Sequence, residues 1–192
     1  MPITINGSGT ITGLSQGGLP ANSVTAATCN FSPGKILQMV QSEVTSSTNL
    51  NATGNSGQDW ADIGQTQTIT MAGANSKVIV VVEGSFYQEV TDLDAAITVS
   101  YKVGSGSYSR LGHDASPDSK GLCGIYANLD PSNLDLLHHV SINYMHTPSS
   151  YSVNDVLTYK LEYKANKDNN DWCGKDGSRE PANYIRLIEV AA

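Results

Sequence analysis

The pattern that organises this chain is clearest in residues 156–164, which read VLTYKLEYK. Large apolar or aromatic side chains occupy every second position, and polar or charged side chains fill the positions between them. The apolar set is Leu157, Tyr159, Leu161 and Tyr163, and the polar set is Thr158, Lys160, Glu162 and Lys164. Successive side chains of a strand point to opposite faces of its sheet. The pattern therefore predicts a strand with one face against a core and the other towards water or another subunit.

Further strands are predicted on both sides of this one. Alternating segments occupy residues 35–44, 66–71, 96–103, 140–144 and 183–190, and a continuous β-branched run, KVIVVV at 77–82, is typical of a strand buried on both faces. Only residues 132–139 suggest a helical turn or two. About eight strands separated by turn-rich loops predict an all-β protein, an antiparallel β-sandwich of jelly-roll type.

Composition agrees with this fold and narrows the function. Charged residues make up 15% of the 192 residues, below the usual share of about 25%, and Ser, Thr, Asn and Gly favour turns over helix. The formal net charge of −7 disfavours nucleic acid, because phosphates would be repelled. No apolar run reaches the roughly 18 residues of a membrane span, and no basic-then-apolar leader is seen. We expect the chain to be synthesised in the cytoplasm and not to insert into a membrane.

The N-terminal segment differs from the rest of the chain. Residues 1–19 carry no charge and repeat the pattern Thr-Ile-x-Gly at 4–7 and 10–13. Their apolar side chains are isolated: Ile3, Ile5, Ile11, Leu14 and Leu19. Such a segment buries too little apolar surface to offset its own ordering entropy, so these side chains are expected to pack against another surface. We therefore divide the chain into an extended docking or trimerisation arm, residues 1–34, and a β-sandwich domain, residues 35–192.

The sequence offers no constellation of catalytic, cofactor-binding or metal-binding residues. His138 and His139 are adjacent in a predicted strand, so they point to opposite faces and are poorly placed to share a metal. Residues 168–176 have the wrong spacing for a calcium loop, and no Gly-x-Ser-x-Gly motif is present. Asp92 and Asp94 could be imagined as the carboxylate pair of a glycosidase, but residues this common do not indicate one. The prediction is a protein that is not an enzyme and needs no cofactor.

The cysteines give little information. Cys29, Cys123 and Cys173 make an odd count without a secretion signal, which argues against a disulfide framework. A single bridge between Cys123 and Cys173 stays open.

Aromatic residues beside loops are the candidates for surface recognition. Trp60 and Trp172 each follow an aspartate at the edge of a polar loop, and Tyr108 lies near a turn. Aromatic rings in such places suit stacking on carbohydrate or contact with a subunit. The alternative is that Trp60 and Trp172 plug the ends of the sandwich.

Several segments resemble structural proteins of tailed-bacteriophage virions, notably marine and cyanobacterial ones. They are GSGTITGL at 7–14, GGLP at 17–20, PGKILQMVQ at 33–41, WADIG at 60–64, SKVIV at 76–80 and IRLIEV at 185–190. Residues 104–136 and 166–182 do not share the pattern. The resemblance implies a β-rich, trimeric, non-enzymatic module of the kind often described as a tail fibre. It carries no residue-level site.

The expected function is accordingly that of a peripheral trimeric fibre or knob in the virion, attached through its arm. Its partners would be sister copies, other virion proteins of the capsid or tail, and a host-surface glycan. Alternatives are a capsid decoration protein, of the cement or head-fibre kind, that stabilises the head, and a carbohydrate-binding adhesin module. A hydrolase or depolymerase would require carboxylates clustered in a groove. The sequence leaves the choice between head and tail open.

Overall fold

A computed structural model describes residues 34–44, 47–51, 59–112, 121–127, 136–168, 170–172 and 183–192. Within these ranges the chain forms eleven strands and no helix. The strands are β1 (Ile36–Val44), β2 (Thr48–Leu50), β3 (Ala61–Thr70), β4 (Lys77–Gln88), β5 (Leu93–Val103), β6 (Ser109–Arg110), β7 (Cys123–Ala127), β8 (Leu136–His146), β9 (Val156–Ala165), β10 (Asn170–Trp172) and β11 (Asn183–Val190). The described residues contain no helix that is long and apolar enough to cross a membrane.

The strands form two antiparallel sheets. In the six-stranded sheet, β1 pairs with β11 and β11 with β4, while β8 runs along the other edge of β4. The short strand β10 pairs with the end of β4 and with β2. In the five-stranded sheet, β3 pairs with β9 and β9 with β5, and β6 and β7 pair with β5. The all-β, antiparallel sandwich predicted from the sequence is confirmed.

The core lies between the sheets and comes from the alternating positions of their strands. In β4 the inward side chains are Val78, Val80 and Val82, and in β9 they are Leu157, Tyr159 and Leu161. Two buried polar contacts also connect the sheets. Nε1 of Trp172 donates to Oε1 of Gln65 over 3.0 Å, and Nδ1 of His146 lies 2.9 Å from the hydroxyl of Tyr159. Buried polar groups are costly without partners, so these pairs help to fix how the sheets face each other.

Two local predictions are corrected. The helical turn suggested for 132–139 is wrong over 136–139, because these residues pair with β4 as part of strand β8. Strand β4 is not buried on both faces, since Ile79 and Val81 are only partly buried. Residues 1–33 of the arm, with Ile3, Ile5, Ile11, Leu14 and Leu19, lie outside the described residues. The arm and the jelly-roll connectivity therefore stay predictions.

Candidate functional site

A network of charged side chains covers the outer face of the five-stranded sheet, and Glu162 of β9 is at its centre. Oε2 of Glu162 accepts a 2.6 Å hydrogen bond from Oγ of Ser100 and lies 2.6 Å from Nε of Arg110. Oε1 lies 3.0 Å from Nζ of Lys160, which also contacts Asp62 at 3.2 Å. The strand register explains why these side chains lie together. Ser100 of β5 is opposite Arg110 of β6 on one side and opposite Lys160 of β9 on the other. Neighbouring strands therefore bring these groups to the carboxylate.

Two of the three predicted recognition residues, Trp60 and Tyr108, lie against cations of this network. The Arg110 guanidinium carbon is 5.6 Å from the centroid of the Trp60 ring, and Nζ of Lys164 is 5.3 Å from the same ring. Ammonium groups of Lys160 and Lys102 lie 4.5 and 5.0 Å from the Tyr108 ring centroid. Cation–π contacts of this length are attractive. We call Trp60, Ser100, Lys102, Tyr108, Ser109, Arg110, Lys160, Glu162 and Lys164 the outer-face cluster.

The chemistry of Glu162 is set by its donors. Its side chain is only 7% exposed, and burial by itself works against ionisation, but hydrogen bonds from Ser100, Lys160 and Arg110 outweigh burial and lower its pKa. The same carboxylate, together with Asp62, raises the pKa of Lys160 against the effect of burial. A carboxylate with both oxygens engaged and a lowered pKa is a poor general acid. Glu162 is better suited to hold Arg110 and Lys160 in place.

A surface pocket of about 260 Å³ opens beside this ion pair. It is lined by Ser100, Tyr108, Ser109, Arg110 and Glu162. Arg110 keeps 35% of its side chain exposed, and Tyr108 is 39% exposed. The pocket therefore has a buried charged floor and an accessible polar and aromatic rim.

The structure corrects the third predicted recognition residue, Trp172. Its side chain is completely buried within the core cluster, and its indole N–H is bonded to Gln65. Trp172 ends β10, which pairs with Phe86 of β4, so the sheet turns the ring inwards. A surface ligand has no access to this ring as the sandwich stands. The polar sequence around Trp172 was a misleading signal.

The three histidines in the described part of the chain contact side chains of neighbouring strands. His138 and His139 point to opposite faces of β8, as predicted: His138 donates to Gln88 over 2.7 Å, and His139 lies 3.0 Å from Glu83. Burial lowers the pKa of His138 and brings the pKa of His146 down to about 4. In the part of the chain described, no three His, Cys, Asp or Glu side chains are grouped to hold a metal ion. His113 lies outside that part.

Cys123 is a free, half-buried thiol in β7, and burial raises its pKa. A thiol with a raised pKa is a weak nucleophile, because the thiolate is the reactive form. Cys29 and Cys173 lie outside the described residues.

The outer face of the six-stranded sheet carries a second feature, an apolar row. Met39 pairs with Ile188, Ile188 with Ile79, and Ile79 with Met145. These four residues thus form a line across β1, β11, β4 and β8. Met39 is 61% exposed and Met145 53% exposed at its two ends, and the exposed Ile36 lies near Met39 on β1.

Polar side chains border the apolar row. The next row along the strands contains Gln41, Arg186, Val81 and Asn143, in which Arg186 donates to Gln41 over 2.9 Å. The row beyond it contains Glu83 and Ser141, joined by a 2.8 Å hydrogen bond. An apolar strip with a polar rim is the usual anatomy of a protein–protein contact surface.

A scan against protein-family models and a search of curated proteins found no match to this chain.

Most of the outer-face cluster was not predicted from the sequence. The alternation of Lys160, Glu162 and Lys164 predicted a polar face on β9, but nothing in the sequence joined Arg110 to Glu162. They are 52 residues apart, and β6 is only two residues long. The apolar row was also missed, because it exists only once four strands are aligned in register.

Proposed function

We propose that this chain is a non-enzymatic structural component of a tailed-phage virion, a peripheral trimeric fibre or knob attached through its N-terminal arm. The observation that carries the proposal is the apolar row of Met39, Ile79, Met145 and Ile188. The row is exposed at its two ends, Met39 and Met145, and partly buried at Ile79 and Ile188. Covering its apolar surface with another chain would be favourable, because the surface is removed from water. A virion component must be built to meet other chains, and the resemblance to virion proteins points the same way.

The occupant of the row is the arm of a neighbouring copy. The described structure starts at Gly34, whose N–H is bonded to Ala191 over 2.9 Å, two residues before the exposed Ile36. Gly34, the last residue of the proposed arm, therefore lies at the edge of the six-stranded sheet that carries the apolar row. The residues before it carry the isolated apolar side chains Ile3, Ile5, Ile11, Leu14 and Leu19. Exchange of arms around a trimer would cover the row and the arm side chains together.

The alternative is a capsid decoration protein, which would use the same apolar row against the head surface. Both forms predict residence in the virion after synthesis in the host cytoplasm. Locating the protein in intact particles with a labelled antibody separates them, because a tail position favours the fibre or knob and a head position favours the decoration protein. Absence from the particles would contradict both.

Incorporation into particles tests the role of the arm. A chain lacking residues 1–30 retains all eleven described strands, so we expect it to fold, to be monomeric and to be missing from particles. A full-length chain carrying Ile5→Asp and Ile11→Asp should show the same defect without any deletion. Incorporation of both variants at the wild-type level would refute attachment through the arm.

A further inference from the structure

The hydrogen-bond acceptors of the pocket beside Glu162 already have partners within the described part of the protein, whereas several of its hydrogen-bond donors do not. Both carboxylates of the network are engaged: Glu162 by Ser100, Arg110 and Lys160, and Asp62 by Lys160 and the N–H of Gly64. A ligand therefore finds few free acceptors on the floor of the pocket.

The donors around the pocket remain available. Arg110 contacts Glu162 through Nε, and its terminal Nη groups make no hydrogen bond to any described residue. Lys102 contacts the Tyr108 ring, and an ammonium group over a ring keeps its N–H donors for other partners. The hydroxyls of Tyr108 and Ser109 complete the rim. The lining thus presents guanidinium and hydroxyl donors, and the Lys102 ammonium lies against the Tyr108 ring at its edge. This arrangement is complementary to an anion.

The size of the pocket indicates what the anion belongs to. Its volume of about 260 Å³ is many times the roughly 10–15 Å³ that a cavity needs to hold one water molecule. An inorganic anion would leave most of it empty, whereas a sugar ring with its substituents would fill it. Tyr108 adds an exposed aromatic edge beside hydroxyl groups, a combination that suits a ring carrying both C–H and O–H groups.

We infer that this pocket binds a negatively charged sugar residue, with the anionic group of the sugar at Arg110 and Lys102. Glu162 is a positioning residue, since it holds Arg110 by its Nε and turns the rest of the guanidinium towards the pocket. The site lies on the five-stranded sheet, away from the apolar row, and does not depend on the proposed assembly role. Loss of sugar binding with assembly intact would refute this inference alone.

Isothermal titration calorimetry on the full-length protein at low ionic strength provides the test. The probes are a tetrasaccharide containing uronic acid, the same tetrasaccharide with its carboxyl groups reduced to alcohols, and sodium sulfate. We expect the acidic tetrasaccharide to bind with a Kd of about 1 mM or tighter and the reduced one to bind at least tenfold more weakly. Sulfate alone should bind more weakly than the acidic sugar.

Three variants assign the binding to this pocket. Arg110→Gln should weaken binding about tenfold or more, because it removes a charge-assisted bond. Among the described residues, the Lys102 ammonium group is in contact with the Tyr108 ring alone. Lys102→Gln should therefore fold normally and weaken binding about two- to fivefold. Lys77→Gln, which removes an exposed cation from the other sheet, should bind like the wild type.

Four results would overturn the inference. They are no binding of the acidic tetrasaccharide at millimolar concentration, equal binding of its reduced form, sulfate binding as tight as that of the sugar, and wild-type affinity in the folded Lys102→Gln variant. Salt should weaken the binding of the acidic sugar, because the contacts at the rim are exposed to solvent.

Discussion

Arg110 and Glu162 form an ion pair with 2.6 Å between Nε and Oε2, and this pair joins the short edge strand β6 to β9 across β5. The carboxylate is almost fully buried, while the guanidinium is about one-third exposed. Glu162 thereby anchors a cation that faces solvent. The outer face of the five-stranded sheet is consequently a fixed arrangement of charges beside two aromatic rings.

Replacing the Glu162 carboxylate should lower the stability of the fold. Glu162→Gln keeps the shape but leaves Arg110 and Lys160 without their shared anion, so we expect a loss of about 1–3 kcal/mol in the free energy of unfolding at pH 7. Urea unfolding measures it. Glu83→Gln, which removes a more exposed carboxylate from the other sheet, is the matched control and should cost less than about 1 kcal/mol. Equal losses in the two variants would contradict a special role for Glu162.

The same substitution predicts a pH dependence. The pKa of Glu162 is lower in the folded state than in the unfolded chain. Its stabilising contribution is therefore complete above the unfolded pKa, near 4.3 for a glutamate, and is lost as the pH falls through the folded value. The stability difference between wild type and Glu162→Gln should shrink as the pH drops below about 4. A difference that is constant down to pH 3 would contradict the lowered pKa.

The buried His146 should make the stability of the fold depend on pH as well, at a higher pH than Glu162 does. Burial lowers its pKa from 6.5 to about 4, so the unfolded chain binds a proton in this window that the folded chain does not. Stability should be complete above pH 6.5 and decline towards pH 4, by up to about 3 kcal/mol. Because carboxylates also titrate near pH 4, the informative comparison is with His146→Gln between pH 7 and 5. We expect the wild type to lose stability there and the variant to lose much less; parallel curves would count against a neutral, buried His146.

Gly84 should tolerate no larger residue, because Trp172 lies against it. A Cβ at this position would come 2.8 Å from two atoms of the Trp172 ring and 2.7 Å from Cγ of Asn183. Gly84→Ala should therefore destabilise the fold by about 1–3 kcal/mol in thermal or urea unfolding. In a Trp172→Phe background, where the ring is smaller, the same change should cost less. An equal cost in both backgrounds would show that the Trp172 ring is not what limits this position.

The sequence predicted the parts of the fold that depend on local pattern. Strand β11 has the predicted bounds, Asn183–Val190, and β9 extends one residue beyond the prediction, to Ala165. Both strands alternate strongly, so one face is specified at every position. The pattern was misread for Trp172, because its polar neighbours suggested a loop although its backbone pairs with β4. Burial at that position is determined by a partner strand far away in the sequence.

The candidate sites were less accessible to sequence reasoning, because each depends on register between distant strands. Trp60 and Tyr108 were chosen as aromatics near loops, but their shared feature, contact with cations bound to Glu162, follows from how β9 and β6 lie along β5. Met39 and Met145 are 106 positions apart in the numbering and share one row only through β11 and β4. Hydrophobic periodicity identifies a strand face, whereas pairing determines which faces adjoin.

The central claim is that the apolar row is an assembly surface, and sedimentation equilibrium of the full-length chain tests it most directly. We expect the wild type to be a trimer. The Met39→Lys, Met145→Lys double variant should be a monomer that still unfolds in one cooperative transition, because both side chains are exposed in the single chain. Asn143→Lys, in the adjacent polar row of β8, is the control and should remain trimeric. A monomeric wild type, or a double variant that is still trimeric, would contradict the account.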